Sequence, residues 1–581
     1  MADGENFDIV IVGSGIAGAL AAYKLSSRPY KILILEAGGW APDRQTLYEI
    51  YVRNSAKGQD SPFSEVFCAP EPRLSAFPPG TNYYTYPYDV NMKDRSNFLG
   101  SFYQRLVGGA TWHWQGISLR MVPDDFVMKT KYGDQIGAKF GKDRVFDWLE
   151  GCRYDDLESW YAAAEQEIGV AGDHDRDPFK ADRKGKRFPM GAIAQSYQDK
   201  QYEKALSGTN GKFQGLDIRV TPVPQAKNSE WRDGRPACDG RATCIPLCPT
   251  KARYEAVFHV EKAMRSKQVE VRSHCVVTKL EVNDQNLVSR VKYRRWDGTE
   301  GSVSGRIVIL AANAIEIPMI LLQSPKPQGG TVANSSGAVG KYLMDHPIRM
   351  SYALAKNRMF AYRGPIVTSG IETTRDGSFR SERACFRTSI LNDGWNWPSL
   401  APLGFVGKKS DGSPDYRVGS LLNFVQQQKL FGHALRQKVA DEMTRHTGLA
   451  SAAEMLASED NFVVPSATKL DRFDQKRPEI HFKVDQYAAD GLKFALDMHK
   501  HIYAGLGVDS HVIDDRYFGS GHLMGTTMMG KVVDRDCRSY DHRNLFILGS
   551  SVFPAVSASN PTLTIAALAL RAGELIKSEL G

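Results

Sequence analysis

Residues 7–12 (Phe-Asp-Ile-Val-Ile-Val) form a nearly unbroken apolar run, the pattern of a strand buried on both faces of a parallel sheet. Gly13-Ser-Gly15-Ile-Ala-Gly18 breaks that run, and the Ala- and Leu-rich residues after it predict a helix over 19–26. A second apolar run at 31–35 predicts another strand, which ends at Glu36. Strand, glycine turn, helix, strand and acid make one βαβ nucleotide-binding unit. In it Gly13 permits the tight turn, Gly15 lets a pyrophosphate approach the backbone, and Gly18 lets helix and strand pack closely. Glu36 is placed to bind ribose hydroxyls.

The pattern then loosens. Residues 40–130 are rich in Pro, Tyr and Asn and weakly periodic, which predicts long loops with short elements. Residues 153–168 read as an amphipathic helix, and 170–250 as loop. Residues 269–277 and 306–310 are expected to be strands returning to the first sheet. The segment 350–510 mixes alternating stretches such as 479–484 with helices such as 488–503, as expected of an α+β substrate domain. Residues 544–549 resume the buried-strand style and lead into a helix over 562–579. The expected fold is α/β: a Rossmann-like dinucleotide-binding domain (1–130, 216–345 and 510–581) interleaved with an α+β substrate domain built on an antiparallel sheet (131–215 and 346–509).

At 581 residues the chain exceeds one compact core and should hold at least two domains. Hydrophobic residues at 42% and charged residues at 24% are ordinary for a soluble globular protein. The net charge of +8, from 74 basic and 66 acidic residues, includes no long basic run, so no nucleic-acid partner is expected. No basic or apolar leader precedes Phe7, and no apolar stretch reaches the length of a membrane span. The chain reads as soluble, without an export signal of its own.

Eight cysteines stand at 68, 152, 238, 244, 248, 275, 385 and 537. The five scattered ones are expected to be buried thiols. Cys238, Cys244 and Cys248 are clustered within eleven residues and followed by Pro249. They read as ligands of an iron–sulfur cluster, as part of a zinc site, or as unliganded thiols. Zinc would want closer Cys pairs and a fourth ligand; three thiols without an adjacent fourth suit a three-iron cluster. Near the C-terminus, Gly521-His522-Leu-Met-Gly525 and Ser559-Asn560-Pro561-Thr562 offer a histidine able to take a hydroxyl proton and an amide able to orient the same oxygen. A lone histidine is more often structural. Gly108-Gly109-Ala-Thr-Trp112-His113-Trp114 is either a loop packed by tryptophans or a wall beside a flavin.

Together these motifs resemble the glucose–methanol–choline (GMC) family of flavoenzymes, over essentially the whole chain. Met344-Asp345-His346-Pro347 and the segment from Ala312 through Pro318 add to the likeness. More narrowly, Thr111-Trp-His-Trp114, the stretch from Thr221 to Ser229 and Cys244-Ile-Pro-Leu-Cys-Pro249 are similar to catalytic subunits of bacterial FAD-dependent sugar dehydrogenases. The resemblance implies FAD held by Gly13, Gly15, Gly18, Glu36, Gly108, Gly109, Val277, Ser550 and Thr562. It implies a [3Fe–4S] cluster on Cys238, Cys244 and Cys248 in the loop 236–250. His522 is then the catalytic base and Asn560 its orienting partner.

The implied reaction oxidises a sugar CH–OH group, of glucose or a glucoside and at C3 in one branch, by hydride transfer to flavin N5. Electrons leave through the cluster to a cytochrome c subunit or acceptor. A small partner subunit carrying the export signal would take the chain to the periplasm, with membrane association only through a partner; without one the chain stays cytoplasmic. Gluconate, fructose or sorbitol dehydrogenases, an oxygen-using sugar oxidase and a non-catalytic electron-transfer flavoprotein are the alternatives. Three departures from the family pattern stand out: Asp239 directly after Cys238, Gly549 in place of an Asp, and the loop from Gln115 to Arg120, which leans towards the glucoside-3 branch.

Overall fold

The computed structural model describes residues 5–55, 103–245, 247–392, 407–408, 414–415, 424–425, 428–471, 473–514 and 517–581. Two seven-stranded sheets organise them.

The first sheet is built on strand Glu5–Val12, paired in parallel with Ile32–Leu35 on one side and Glu300–Leu310 on the other. Ile32–Leu35 also pairs in parallel with Val269–Arg272, and Glu300–Leu310 with Leu545–Ile547. The central strands are buried on both faces, with helix Ile16–Leu25 against Glu5–Val12 and Ile32–Leu35, and strand Cys275–Val282 also touching Ile32–Leu35. Val12 stands opposite Leu35 and Leu310. The residues that follow (Gly13, Glu36 and Ala311) therefore emerge together at the carboxyl edge, where open α/β sheets hold ligands. Helix Ile16–Leu25 starts at that edge and packs against the C-terminal helix Thr562–Leu580.

The expected strand over 269–277 is two strands. Val269–Arg272 pairs with Ile32–Leu35, whereas Cys275–Val282 pairs antiparallel with Val288–Arg295. The break is at His274, at φ +58°, whose N–H donates to Gly38 O at 2.9 Å while Cys275 N–H donates to Glu36 O at 2.9 Å. The chain thereby steps over the acid-bearing turn and brings Val276 and Val277 beside it.

The second sheet is antiparallel, in the order Val508–Ile513, Pro347–Ala355, His446–Ala453, Phe386–Leu391, Ser369–Ile371, Val220–Pro222, with Phe518–Gly519 also on Pro347–Ala355. Helix Gln486–Leu506 begins where the Asp485 carboxylate accepts the Ala488 N–H at 2.7 Å and covers one face. Leu449, Ala453, Phe386 and Ile390 pack beneath it, and His499 on this helix bonds the Ser351 and Ser451 hydroxyls, each at 2.8 Å. The opposite face looks towards the first sheet.

Three elements pack across the expected domain limits. Strand Val220–Pro222 belongs to the second sheet, and helix Tyr154–Ile168 packs on Thr562–Leu580. The stretch expected to alternate at 479–484 is strand Lys476–His481, paired among the described residues with Phe462–Leu470 alone. Its Ile480, with Val463, packs against Ile315 and Met319 of helix Asn313–Leu322.

Candidate active site

A cavity of about 460 Å³ runs from the carboxyl edge of the first sheet to the open face of the second. At its first end lies the glycine turn. A Cβ on Gly18 would stand 2.0 Å from Gly13 O, and one on Gly13, at φ +95°, 2.7 Å from Ala311 O. These two glycines hold the turn against the sheet. A Cβ on Gly15 would meet nothing within 4 Å, since its free side faces the cavity in front of the helix N-terminus. That is the room and polarity a pyrophosphate needs.

Glu36 lines the same end, buried, its carboxylate accepting from Ser14 N–H (2.9 Å), Ser14 Oγ (2.6 Å) and Gly38 N–H (3.0 Å). Burial raises its pKa against those hydrogen bonds. Gly109, Val277, Gly549, Ser550 and Thr562 also line the cavity, and Gly549 leaves open space where a side chain would stand. Gly108 sits behind the wall, at φ +98°, its N–H donating to Ser14 Oγ at 3.2 Å and its flank against Trp112. The residues present fit a flavin dinucleotide.

At the other end two histidines and an amide converge. Asn560 Nδ2 lies 3.2 Å from His522 Nε2, and His522 Nδ1 lies 2.8 Å from His346 Nδ1. Asp345 tethers both histidines by their backbones: its Oδ1 accepts His346 N–H at 2.7 Å and His522 N–H at 2.9 Å. Burial pushes the Asp345 carboxyl up to about 7, against its backbone hydrogen bonds. Burial lowers His346 to about 4, and burial with the charges of His346 and Arg387 holds His522 well below the ordinary imidazole value. Both rings are neutral bases. In the tautomer that carries its proton on Nδ1, His522 presents the Nε2 lone pair to the Asn560 N–H and donates from Nδ1 to His346 Nδ1. The Asn560 Oδ1 is buried without a protein partner.

The wall opposite comes from alternate residues of three neighbouring strands. The register sets Ile348, Ala452 and Arg387 in one row and Met350, Ala450 and Ser389 in the next, all lining the cavity. Sequence reasoning missed His346, Asp345 and Arg387 as parts of the site. Met344-Asp345-His346-Pro347 was visible only as a likeness, and nothing near Arg387 marked it.

The cysteine loop abuts the cavity without opening into it. Ile245 lines the cavity, and Cys238, Cys244 and Cys248 lie behind as free thiols, Cys244 buried and the others half-buried. The fully buried Arg253 joins loop and wall: Nη1 donates to Trp114 O at 2.7 Å and to Cys244 O, and Nη2 to Trp112 O and, at 3.0 Å, to Glu255. Glu255 also pairs with Arg44, which donates to Cys248 O at 3.0 Å.

Burial raises the Cys238 thiol, with the neighbouring Cys244 and Cys248 sulfurs adding to it. Burial also opposes ionisation of Cys244, but Lys227, the Ile366 backbone and Arg253 outweigh it and lower that thiol. Thiols that feel one another's charge, with Lys227 and Arg253 acting on Cys244, have the chemistry of donors to a thiolate-held group. No three His, Cys, Asp or Glu side chains among the described residues converge as a single-ion site. Cys152, Cys275, Cys385 and Cys537 are buried thiols, as expected, and Cys68 lies outside the described residues.

A dinucleotide cradle facing a neutral histidine base across one cavity defines a flavin-dependent oxidoreductase. The chain belongs to the GMC oxidoreductase family. The model of that family matches residues 433–569, and an NAD(P)-binding Rossmann-like domain matches residues 11–50. The chain is 30% identical over 587 residues to the fructose dehydrogenase large subunit of Gluconobacter japonicus, covering 99% of this chain and 98% of that one. It is 24% identical over 591 residues to the 2-methyl-1,2-propanediol dehydrogenase of Mycolicibacterium austroafricanum, covering 98% and 95%. Its fold matches the crystal structure of pyridoxine 4-oxidase from Mesorbium loti, with a TM-score of 0.61 at 17% identity over 98% of this chain and 99% of the other.

Proposed function

We propose that this chain is the flavin-bearing subunit of a dehydrogenase that oxidises a CH–OH group of a sugar. Its electrons pass through an iron–sulfur cluster on Cys238, Cys244 and Cys248 to a cytochrome c-type acceptor. Glucose or a glucoside, oxidised at C1 or C3, is the first substrate to test, with fructose, gluconate and sorbitol beside it.

The observation that carries the reading is the 3.2 Å approach of Asn560 Nδ2 to His522 Nε2 at the cavity wall. A hydroxyl inserted between them satisfies both: its oxygen accepts the Asn560 N–H, and its O–H donates to Nε2. His522 then takes that proton as the carbinol C–H bond breaks, which is general-base catalysis by a ring kept neutral by burial. The imidazolium so formed keeps its Nδ1–H bond to His346, and Asp345 holds both rings in place. Ile348 and Met350 line the reacting end with apolar surface. Gly13, Gly15, Glu36, Gly109, Val277, Ser550 and Thr562 would hold the FAD, with Gly18 and Gly108 supporting the turn from behind. Bound there, the flavin supplies the hydride acceptor, and a cluster on the cysteine loop supplies a one-electron outlet.

The "large subunit" in the Gluconobacter protein's name supports a partner subunit, which would carry the export signal and bring this chain to the periplasm. No helix among the described residues is long and apolar enough to cross a membrane, so membrane association would come through such a partner.

The test is anaerobic turnover with an artificial acceptor on glucose, methyl glucoside, fructose, gluconate and sorbitol, with the product's oxidised carbon identified. Sugar oxidation with negligible peroxide in air, and a paramagnetic signal from the oxidised protein, are expected. Rapid peroxide formation points to an oxidase instead. Turnover of no substrate by a flavin-loaded protein overturns the enzymatic reading.

A further inference from the structure

Arg387 is 4% exposed and lines the cavity from strand Phe386–Leu391. Its Nε and Nη2 donate to the Glu372 carboxylate at 3.1 and 2.7 Å, and its Nη1 donates to Ser389 Oγ at 2.9 Å. A guanidinium carries five N–H groups, so one on each terminal nitrogen is engaged by neither partner. Ser389 accepts from Arg387 and keeps its own proton to give. The two side chains stand two residues apart on one strand face, and the neighbouring strand presents only Ala452 and Ala450 beside them. That leaves a shallow trough between Arg387 and Ser389 on one flank and Ile348 and Met350 on the other. Glu372, 1% exposed, lies behind Arg387. Its other neighbour is Arg375, whose Nε stands 3.8 Å from the carboxylate and whose Nη2 donates to Arg120 O and Ser559 Oγ, with Asp177 and Asp182 also within reach of its charge.

We propose that Arg387 and Ser389 form the subsite that grips two hydroxyls of a neutral sugar or polyol, and that Glu372 sets the preference for neutral over acidic sugars. This deepens the sugar-dehydrogenase reading and rests on it. Two parallel N–H groups on a flat fork match two neighbouring hydroxyl oxygens, as they match two carboxylate oxygens. What separates the two ligands is net charge. With the Glu372 carboxylate paired to it at 2.7 Å, Arg387 offers donors with its charge partly met, so a carboxylate entering this buried trough would lose its water for less attraction than an unpaired guanidinium gives. A neutral polyol suffers no such loss. The rest of the trough is apolar and fits the C–H faces of a sugar ring.

The experiment uses the full-length, flavin-loaded protein and compares kcat/KM on the best neutral sugar, on the sugar acid of the same skeleton and on a simple monohydric alcohol. For S389A, KM for the sugar should rise about 2- to 10-fold, the usual worth of one hydrogen bond, while the limiting rate of flavin reduction holds within about twofold and the monohydric alcohol is unaffected. For E372Q, the acid-to-neutral ratio of kcat/KM should rise at least about tenfold, because the guanidinium gains an uncompensated charge. R387K, which keeps the charge and loses the fork, should weaken the sugar and spare the monohydric alcohol.

An unmoved ratio in an E372Q protein that keeps its flavin overturns the inference. So does an equal loss on sugar and monohydric alcohol in S389A. If E372Q does not fold, S389A and R387K decide by the same sugar-versus-alcohol comparison. Wild-type protein that prefers the sugar acid sinks this inference and leaves the dehydrogenase reading standing; wild-type protein that oxidises no sugar sinks that reading itself.

Discussion

Replacing His346 isolates the least expected part of the site. His346 Nδ1 lies 2.8 Å from His522 Nδ1, placed to accept its proton, with ring planes at 79° and both residues among the cavity wall. While His522 is neutral this is an ordinary hydrogen bond. Once His522 holds the substrate proton, the same bond stabilises an imidazolium inside a wall where burial opposes charge. A hydrogen bond to a charged group contributes about 1.5–3 kcal/mol against about 0.5–1.5 for a neutral one, so the gain on protonation is about 1–1.5 kcal/mol, which at about 1.4 kcal/mol per decade is about 5- to 13-fold in rate. His346→Leu should lose that factor in the limiting rate of anaerobic flavin reduction at saturating substrate, with a smaller change in KM. His346→Asn, which can set an amide oxygen near the Nδ1 position, should recover part of it. A deuterium effect on the substrate C–H should persist in both, locating the loss in the chemical step. A His346→Leu protein that reduces its flavin within about twofold of wild type refutes the reasoning, as does an Asn variant no better than the Leu one.

Three other outcomes follow from the geometry. Gly15→Ala should fold normally yet bind flavin at least about tenfold more weakly, because its methyl would occupy the open side of the cradle; Gly18→Ala, whose Cβ would meet Gly13 O at 2.0 Å, should lower the melting temperature as well, and flavin release read by fluorescence separates the two. Burial keeps His522 neutral well below the ordinary value of 6.5, so the base stays available where a free imidazole is already protonated, and the acid limb of kcat/KM should fall clearly below pH 6.5; a limb at 6.5 would show an imidazole in ordinary solvation. Cys244→Ser should abolish bound iron and acceptor turnover while leaving single-turnover flavin reduction by substrate within about threefold; iron retained at wild-type stoichiometry would contradict a cluster on this loop.

The parts of this protein legible in its sequence are those whose geometry is local. Gly18 is required by a clash with Gly13 O five residues back, so the glycine spacing announces the turn, and Glu36 follows directly after the next strand. The helices Tyr154–Ile168 and Thr562–Leu580 fall within a residue or two of their apolar periodicity. The break at His274 was not legible, because the left-handed residue there is a histidine whose reason is a bond to Gly38, far back in the chain. His346 and Arg387 escaped for a related reason. Alternation along a strand says which residues share a face, but that face is a wall of the site only because strands distant in sequence align Ile348, Ala452 and Arg387.

Arg253 has a bearing on how such a protein is put together. One buried guanidinium satisfies the carbonyls of Trp112, Trp114 and Cys244 at once, and its counter-ion Glu255 holds the arginine that caps Cys248. A chain whose cysteine loop has not closed leaves donors and acceptors stranded along the flavin wall as well. Closure of the cysteine loop and of the cavity wall is therefore one cooperative event. A descendant that discarded the loop would first have to find new partners for every carbonyl Arg253 now serves.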